Sequence, residues 1–542
     1  MVEESHYESR EVNRVSESTT LARVIVRQII EAGITDVVLS PGSRNAPLSM
    51  AFYEAQKKDL IKLHVKIDER GAAFFALGLT KSTGRAVPII CTSGTAVANY
   101  HPAVLESSHS NAPLLILTAD RPARLRRTGA NQTTEQARIF GKAVRYFADV
   151  SGSAFPMELV FNALQTGPVH LNLQFEEPLL DLTDENRWLD KISINPPKRF
   201  TRKDAGTFHT KSTRGLLIIG HDRAGLSQAS VNDFAEKLGW PVIAEDPLSF
   251  KNAISHASVF LTSTKIRSEV KPDTVLVIGR TTLSRSINAL LASARKTIVI
   301  DPRMATVDSD RAADQKFFAL PALQVPTADP DWSATWNKLA ERSAKVIADL
   351  DLWSEELFAR EFAKGIPSGS SLFVASSRPI RDLEGFASAR DGVSVYANRG
   401  LAGIDGNIST ALGIAERSEC TYAVLGDLAF LHDVSALAHG SDAKLRLFVI
   451  DNNGGGIFST LPQAGVEGFE TIFGTPHDKD IAAIASGFGV KTSTISSLKE
   501  LSEDLKRPVS GFDVVVVKVP SREKNAEYLK SCLLYTSDAA DE

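Results

Sequence analysis

Val424-Leu425-Gly426-Asp427-Leu428 and Leu447-Phe448-Val449-Ile450-Asp451-Asn452-Asn453-Gly454-Gly455 are two apolar runs, each ending in polar residues and glycine. The span between them, 429–439, has the pattern of a helix. The unit is therefore strand–helix–strand. In an open parallel sheet both strand ends emerge on one edge, where ligands bind. An acid and an amide there, beside glycines that let backbone carbonyls come close, suit a hard divalent cation held on a phosphate.

The chain around this unit has 542 residues, enough for two to four domains. Hydrophobic residues make up 43% and charged residues 23%, a globular composition. A net charge of −4 gives no basis for a nucleic-acid or anionic-membrane partner. Cys91, Cys420 and Cys532 are scattered, which fits a reducing cytoplasm and argues against a cysteine-built zinc site. The first residues are polar and lack a signal-like apolar core, and no run is long enough to insert in a membrane. A cytoplasmic protein is expected.

Working outward, the N-terminal third repeats the same arrangement. Ser18-Thr19-Thr20 can cap a helix carrying Leu21, Val24, Ile25 and Ile29, and Gly33 stops it. Short strands are expected at 36–39, 63–67, 86–91 and 114–117. They run into Ser40-Pro41-Gly42-Ser43-Arg44-Asn45, Asp68-Glu69-Arg70, Thr92-Ser93-Gly94-Thr95-Ala96 and Thr118-Ala119-Asp120-Arg121-Pro122. Four successive strand ends with polar, glycine-bearing sequence mark a binding edge on a mostly parallel α/β sheet. From the residues alone, Glu69 reads as an acid favoured at a helix start, or as a site residue.

Residues 181–213 are polar and proline-bearing, a linker by composition. A second α/β series has strands at 216–219, 242–244, 275–278 and 297–300, with no GxGxxG fingerprint of a dinucleotide site. A third begins at 372–374. Its strand 393–396 leads into Ala397-Asn398-Arg399-Gly400-Leu401-Ala402-Gly403-Ile404-Asp405-Gly406, whose glycines would let backbone amides approach a phosphate. The expected fold is three Rossmann-like α/β domains with mostly parallel sheets. The expected divisions are 1–185, 186–350 and 351–530, with a disordered tail at 531–542.

Gly426-Asp427 followed, 25 positions after the acid, by Asn452-Asn453-Gly454 resembles the thiamine diphosphate motif of pyruvate-decarboxylase-like enzymes. The third motif residue is usually glycine and here is Leu428. With that leucine, with Gly454-Gly455-Gly456-Ile457-Phe458, and with the strand-end sequences above plus Gly129-Ala130-Asn131-Gln132, the chain is similar over roughly 20–520 to one family. That family is the 2-succinyl-5-enolpyruvyl-6-hydroxy-3-cyclohexene-1-carboxylate synthases.

The resemblance implies a transferase of menaquinone biosynthesis. It decarboxylates 2-oxoglutarate on thiamine diphosphate and adds the succinyl carbanion to isochorismate in a Stetter-like 1,4-addition. Glu69 would be the catalytic acid at N1′ of the cofactor's aminopyrimidine. Asp427, Asn452 and the carbonyl of Gly454 would hold Mg²⁺ (Mn²⁺ is the other candidate), with Asn453 as the alternative amide. Gly400, Gly403, Ile404, Leu428, Asn452, Asn453, Ile457 and Phe458 would line the cofactor, Ile404 as an apolar wedge whose other reading is core. Ser43, Arg44, Arg121, Asn131 and Gln132 from the first domain would bind the anionic substrates. Ser377, Arg381 and Arg399 from the last would do the same, since the guanidinium fork matches a carboxylate. Arg381 also reads as a surface charge. The first domain of one subunit would face the last domain of another, in a homodimer or homotetramer. An acetolactate-synthase-like carboligase, or a non-catalytic binding protein keeping the fold, are the alternatives.

Overall fold

The computed structural model of the protein describes residues 15–181, 186–198, 205–220, 222–223, 225–303, 312–440 and 443–541. Three parallel α/β sheets follow one another along the chain. The first is built from β1 (Asp36–Leu39), β2 (Lys62–Val65), β3 (Val87–Cys91), β4 (Leu114–Asp120), β5 (Tyr146–Val150) and β6 (Val169–Gln174), in the order β2-β1-β3-β4-β6-β5. The central sheet uses β8 (Gly215–Ile219), β9 (Val242–Ala244), β10 (Thr274–Ile278), β11 (Lys296–Ile300) and β12 (Gln315–Phe317), in the order β12-β11-β10-β8-β9. A two-stranded piece, β7 (Thr207–His209) with β13 (Ala322–Gln324), flanks it. The last sheet joins β14 (Ser371–Val374), β15 (Ser394–Tyr396), β16 (Thr421–Gly426), β17 (Leu445–Asp451), β18 (Lys491–Ile495) and β19 (Phe512–Lys518), in the order β15-β14-β16-β17-β19-β18.

The first and last sheets have the same topology: second, first, third, fourth, sixth, fifth. In both, strand order reverses between the first and third strands, which opens a crevice at their carboxyl ends. Gly42, after β1, lies so close to Thr92, after β3, that an added Cβ would sit 2.3 Å from it. In the last sheet the same position separates the ends of β14 and β16, where Ser377 and Asp427 lie.

These two sheets are not independent bodies. One continuous apolar core runs from Val38, Ile89 and Ile116 through Phe75 and Leu412 to Leu425, Leu447 and Val514. Its centre is the packing of the helix Glu69–Thr83 on the helix Asn407–Ala415. Both helices are rich in small residues there, and the backbones touch. A Cβ on Gly78 would lie 2.1 Å from the Thr410 carbonyl, and one on Gly413 would lie 2.1 Å from the Phe75 carbonyl.

Several local expectations are corrected. The first helix, Glu17–Glu31, is capped by Ser16, whose hydroxyl accepts the Thr19 amide, while Ser18 and Thr19 are buried inside it. The helix expected at 429–439 is two pieces, Asp427–His432 and the 3₁₀ turn Val434–His439. Asp433 separates them because its carboxylate accepts the Ser409 amide (2.8 Å) and hydroxyl (3.2 Å). Part of the expected linker packs firmly: Leu189 is buried, and Arg27 donates to the Trp188 carbonyl at 2.6 Å. Residues 182–185 and 199–204 of that linker lie outside the described residues. The expected disordered tail from 531 instead continues the helix Arg522–Asp541, because Leu529, Cys532 and Leu533 bury against Val259, Ile347 and Phe386.

The crossing at Gly78 leaves no room for a methyl, and neither partner atom is a flexible side chain. Gly78→Ala is expected to lower unfolding stability by about 1–3 kcal/mol, the usual range for overpacking. Urea unfolding measures it, and an unchanged midpoint and slope would contradict this packing.

Candidate active site

β16 ends at Gly426 and delivers Asp427 to the first turn of a helix, buried at the carboxyl edge of the last sheet. One carboxylate oxygen accepts the Leu428 amide at 2.6 Å, and the other accepts the Gly454 amide at 2.8 Å. Burial pushes the Asp427 carboxyl above the usual range, and the Gly454 amide and His477 oppose it. β17 ends beside it and delivers Asp451, Asn452 and Asn453.

The two asparagines are not equivalent. Asn453 has a positive φ of 61°, and its Oδ1 already accepts the amides of His477 (3.0 Å) and Asp478 (2.9 Å). Its Nδ2 donates to Asp478 at 2.8 Å. Asn452 donates through Nδ2 to Glu355 at 2.7 Å, while its Oδ1 is buried without a partner among the described residues. A buried amide oxygen left unpaired is costly unless a ligand satisfies it. Asn452, Asp427 and the Gly454 carbonyl form an all-oxygen donor set, the chemistry a hard divalent cation prefers. The Gly454 carbonyl accepts the Gly456 amide at 2.9 Å and keeps a second lone pair.

His477 completes a group that the sequence reading did not anticipate. Its Nε2 lies 3.2 Å from Asp427 and 3.9 Å from Asp451, and one atom of each of the three residues could meet a common ion. Asp451 is otherwise engaged, pairing with Lys518 and accepting the Asn453 amide at 3.2 Å. Ile457 and Phe458 sit in the following 3₁₀ turn, half-buried, with Phe458 against Phe473.

Glu69 begins the helix Glu69–Thr83, after the N-cap Asp68. It is half-buried, and among the described residues its carboxylate accepts no hydrogen bond. Cys91 and Tyr100 lie within its field, and burial holds both of their protons tightly, Glu69 adding to the effect. No hydrogen bond or ion pair among the described residues joins Glu69 to Asp427 or Asn452.

The remaining candidates fall into two clusters. In the first sheet's crevice, Arg121 donates to Ser93 Oγ and to the Gln132 carbonyl, both at 2.7 Å. Arg44 donates to the Phe175 carbonyl at 3.0 Å and pairs with Glu177 at 3.0 Å, leaving its Nε buried and unpaired. Burial, then the charge of Arg44, lowers the Arg121 pKa. Ser43, Asn131 and Gln132 lie exposed at the rim. In the last sheet, Ser377 starts a helix at φ 76°, and Arg381 donates to its carbonyl at 2.6 Å. Arg381 is half-buried; burial lowers its pKa, and Arg378 and Arg399 add to that. Arg399 pairs with Glu245 at 2.9 Å and keeps a buried, unpaired Nε. No hydrogen bond or ion pair among the described residues links the two clusters.

The glycine loop departs from expectation at one point. The Gly400 amide, expected to face a phosphate, is taken by the carboxylate of Glu106 at 2.7 Å. Gly403 is crowded by Asp405 and lines a 230 Å³ cavity with Phe74, Leu105, Glu106 and Leu401, and Ile404 is exposed. Glu106, Glu245, Glu355 and His477 belong to none of the strand-end motifs that mark the site in the sequence. Glu106 had a signal, since it shares the buried face of its helix with Ala103, Val104 and Ser107.

Three family models match the chain in succession: the N-terminal TPP-binding domain of thiamine pyrophosphate enzymes over 19–139, their middle domain over 178–374, and their C-terminal TPP-binding domain over 384–519. The chain is a three-part thiamine diphosphate enzyme. A 2-succinyl-5-enolpyruvyl-6-hydroxy-3-cyclohexene-1-carboxylate synthase of Saccharopolyspora erythraea is 36% identical over 93% of this chain and 96% of its own. One from Nocardioides sp. is 38% identical over 95% and 98%, and one from Geobacillus kaustophilus 35% over 96% and 98%. The chain belongs to the 2-succinyl-5-enolpyruvyl-6-hydroxy-3-cyclohexene-1-carboxylate synthase family. No helix among the described residues is long and apolar enough to cross a membrane.

Asp433, which ties the helix after Asp427 to the helix after the glycine loop, has its carboxyl raised by burial from 3.8 to about 6. Between those values the folded protein holds a proton that the unfolded chain has lost, so this group's contribution to stability falls as pH rises. Asn can accept the Ser409 amide and donate to its hydroxyl without ionising. Asp433→Asn is therefore expected to gain stability relative to the parent as pH rises from 4 to 6, then level off. Urea unfolding across that range tests it; a pH-independent difference would show that Asp433 ionises normally.

Proposed function

We propose that the chain decarboxylates 2-oxoglutarate and adds the four-carbon succinyl unit to isochorismate, yielding 2-succinyl-5-enolpyruvyl-6-hydroxy-3-cyclohexene-1-carboxylate for menaquinone biosynthesis. Family membership along the whole chain supports the reaction. The observation that carries the site is the buried, unpaired Oδ1 of Asn452 beside Asp427. It is an oxygen donor with no hydrogen-bond partner among the described residues. Asp427, Asn452 and the Gly454 carbonyl would hold Mg²⁺ or Mn²⁺ against the cofactor's diphosphate, and Asn453 is left to brace the 477–478 turn.

When bound, thiamine diphosphate supplies a carbon nucleophile and an electron sink, which decarboxylation of a 2-oxo acid requires. Glu69 would hold a proton at N1′ of the aminopyrimidine; its uncommitted carboxylate at a strand end suits that task. Ile404 would press the cofactor into shape, and Leu428, Gly403, Ile457 and Phe458 would flank it. The substrates are polyanions, and Arg44, Arg121, Arg381 and Arg399 supply fixed positive charge for them. Ser43, Asn131, Gln132 and Ser377 would orient the same groups. Among the described residues no hydrogen bond or ion pair joins the two clusters, and this supports a complete site formed between the first sheet of one subunit and the last sheet of another, with a homodimer as the smallest active unit.

Incubation with 2-oxoglutarate, isochorismate, thiamine diphosphate and Mg²⁺ is expected to consume both substrates; consumption of pyruvate in place of 2-oxoglutarate would instead favour an acetolactate-synthase-like carboligase. Glu69→Gln is expected to cut kcat by about 10²–10⁴-fold, the contribution of an acid–base group, while cofactor still binds. Near-normal turnover would remove Glu69 from that role. Asn452→Ala is expected to weaken Mg²⁺-dependent cofactor retention by about tenfold or more, the order of one charged contact. Fluorescence titration reads it, and an equal effect from Asn453→Ala would shift the ligand assignment.

A further inference from the structure

Loop 397–401 leaves the carboxyl end of β15 and carries Arg399, and it runs directly into Gly403 and Ile404. Two buried glutamates from elsewhere in the chain converge on it. Glu106, on the helix His101–Ser110 of the first α/β unit, is 3% exposed. Its two carboxylate oxygens accept the amides of Gly400 and Leu401, each at 2.7 Å. Lys81 lies 3.7 Å from the same carboxylate and donates to the Ala397 carbonyl at 3.1 Å. The approach is so close that a Cβ on Gly400 would lie 2.7 Å from the Glu106 carbonyl. Glu245 follows β9 of the central sheet and is 1% exposed. It accepts from Arg399 at 2.9 Å and from the Leu283 amide at 3.1 Å.

Burying a carboxylate is expensive unless its oxygens are paired, and both of these are paired to the same short loop. An apolar side chain could pack the helix His101–Ser110 equally well but could not hold two adjacent amides. Besides Arg399, the loop's own side chains add Asn398, which donates to Thr410 at 3.0 Å. Ser376, also in the last α/β unit, donates its hydroxyl to the Asn398 carbonyl at 3.4 Å, and the other side-chain bonds to the loop among the described residues come from outside that unit.

We propose that Glu106 and Glu245 are positioning residues for the reaction: Glu106 sets the backbone of loop 397–401, and Glu245 aims the guanidinium of Arg399. This rests on the reading of Arg399 as a substrate contact and of Gly403 and Ile404 as cofactor contacts. It makes the central sheet a working part of the site, because Glu245 reaches Arg399 from its carboxyl edge.

Glu106→Gln keeps size and removes the second good acceptor, whereas Glu245→Gln keeps size and an accepting oxygen but removes the charge that faces Arg399. Each would be compared with the parent protein for thermal midpoint, amide exchange over 399–403, thiamine diphosphate affinity in Mg²⁺, and kcat and KM for both substrates. Glu106→Gln is expected to speed exchange at Gly400 and Leu401 and to weaken cofactor binding about tenfold, the order of a lost charged hydrogen bond. Glu245→Gln is expected to raise KM for an anionic substrate by about the same factor and to spare cofactor affinity. The proposal is overturned if the variants lose thermal stability while their folded fraction keeps parental exchange, cofactor affinity and KM, or if nothing changes. Should the parent bind thiamine diphosphate yet fail to consume 2-oxoglutarate, the functional reading fails, while the exchange and cofactor data still decide how the loop is held.

Discussion

The backbone contact between the helices Glu69–Thr83 and Asn407–Ala415 is the constraint on which the site depends. Each helix begins at a strand end that carries candidate chemistry. Glu69 is the first residue of one, and the loop with Arg399, Gly403 and Ile404 leads into the other. Gly78 and Gly413 let the two backbones touch, so the crossing cannot slide without collision. Helices are stiff over such lengths, and a tilt at the crossing would move both starting ends. The small residues that look like unremarkable helix filler therefore fix the relation between two α/β units that are otherwise separate sheets.

Buried charge is concentrated around the same edges. Arg378 lies among Glu355, Glu356 and Asp382. Burial works against its charge, but the three acids more than offset this. Glu355 in turn holds the Asn452 amide, so the cluster decides which face of that side chain is left to a ligand. Nearby, burial and the neighbouring Glu245 push the Glu384 carboxyl well above its usual range. Groups of this kind contribute little net stability, since desolvation consumes most of the Coulomb gain. Their common property here is geometric: each restricts one side chain or loop at the carboxyl edge of a sheet.

The elements legible in the sequence were those whose signal is local. The apolar residues 37–39, 114–117, 424–425 and 447–450 lie in buried parallel strands because their side chains gain by leaving water. Asp427 and the asparagines were visible because they interrupt such runs at their ends. The cap at Ser16 rather than Ser18 was hidden, because either hydroxyl satisfies the local rule and only burial of Ser18 excludes it. The break at Asp433 was hidden for a different reason: its partner, Ser409, lies in another element. Glu106, Glu245 and Glu355 share that difficulty, as their partners are 294, 154 and 97 residues away. No periodicity or motif encodes a pairing at such range; a glutamate on the apolar face of a helix is the most that sequence offers.

The matched topology of the first and last sheets gives the arrangement its logic. Both open a crevice between their first and third strands, and both crevices hold an arginine cluster. Within one chain the shared helix packing sets the relation of these half-sites, and no hydrogen bond or ion pair among the described residues joins their arginines. A proposed reaction that joins two polyanions needs both clusters at one place. If the halves are brought together across a subunit boundary, the helix crossing acquires a second consequence, because it lies between the half-site a chain contributes to one reaction centre and the half-site it contributes to the next. Glu106 spans that same interval, from the helix His101–Ser110 beyond the Ser93 loop to the backbone beside Arg399. On that reading, Glu106 ties the backbone beside one crevice to the unit that carries the other.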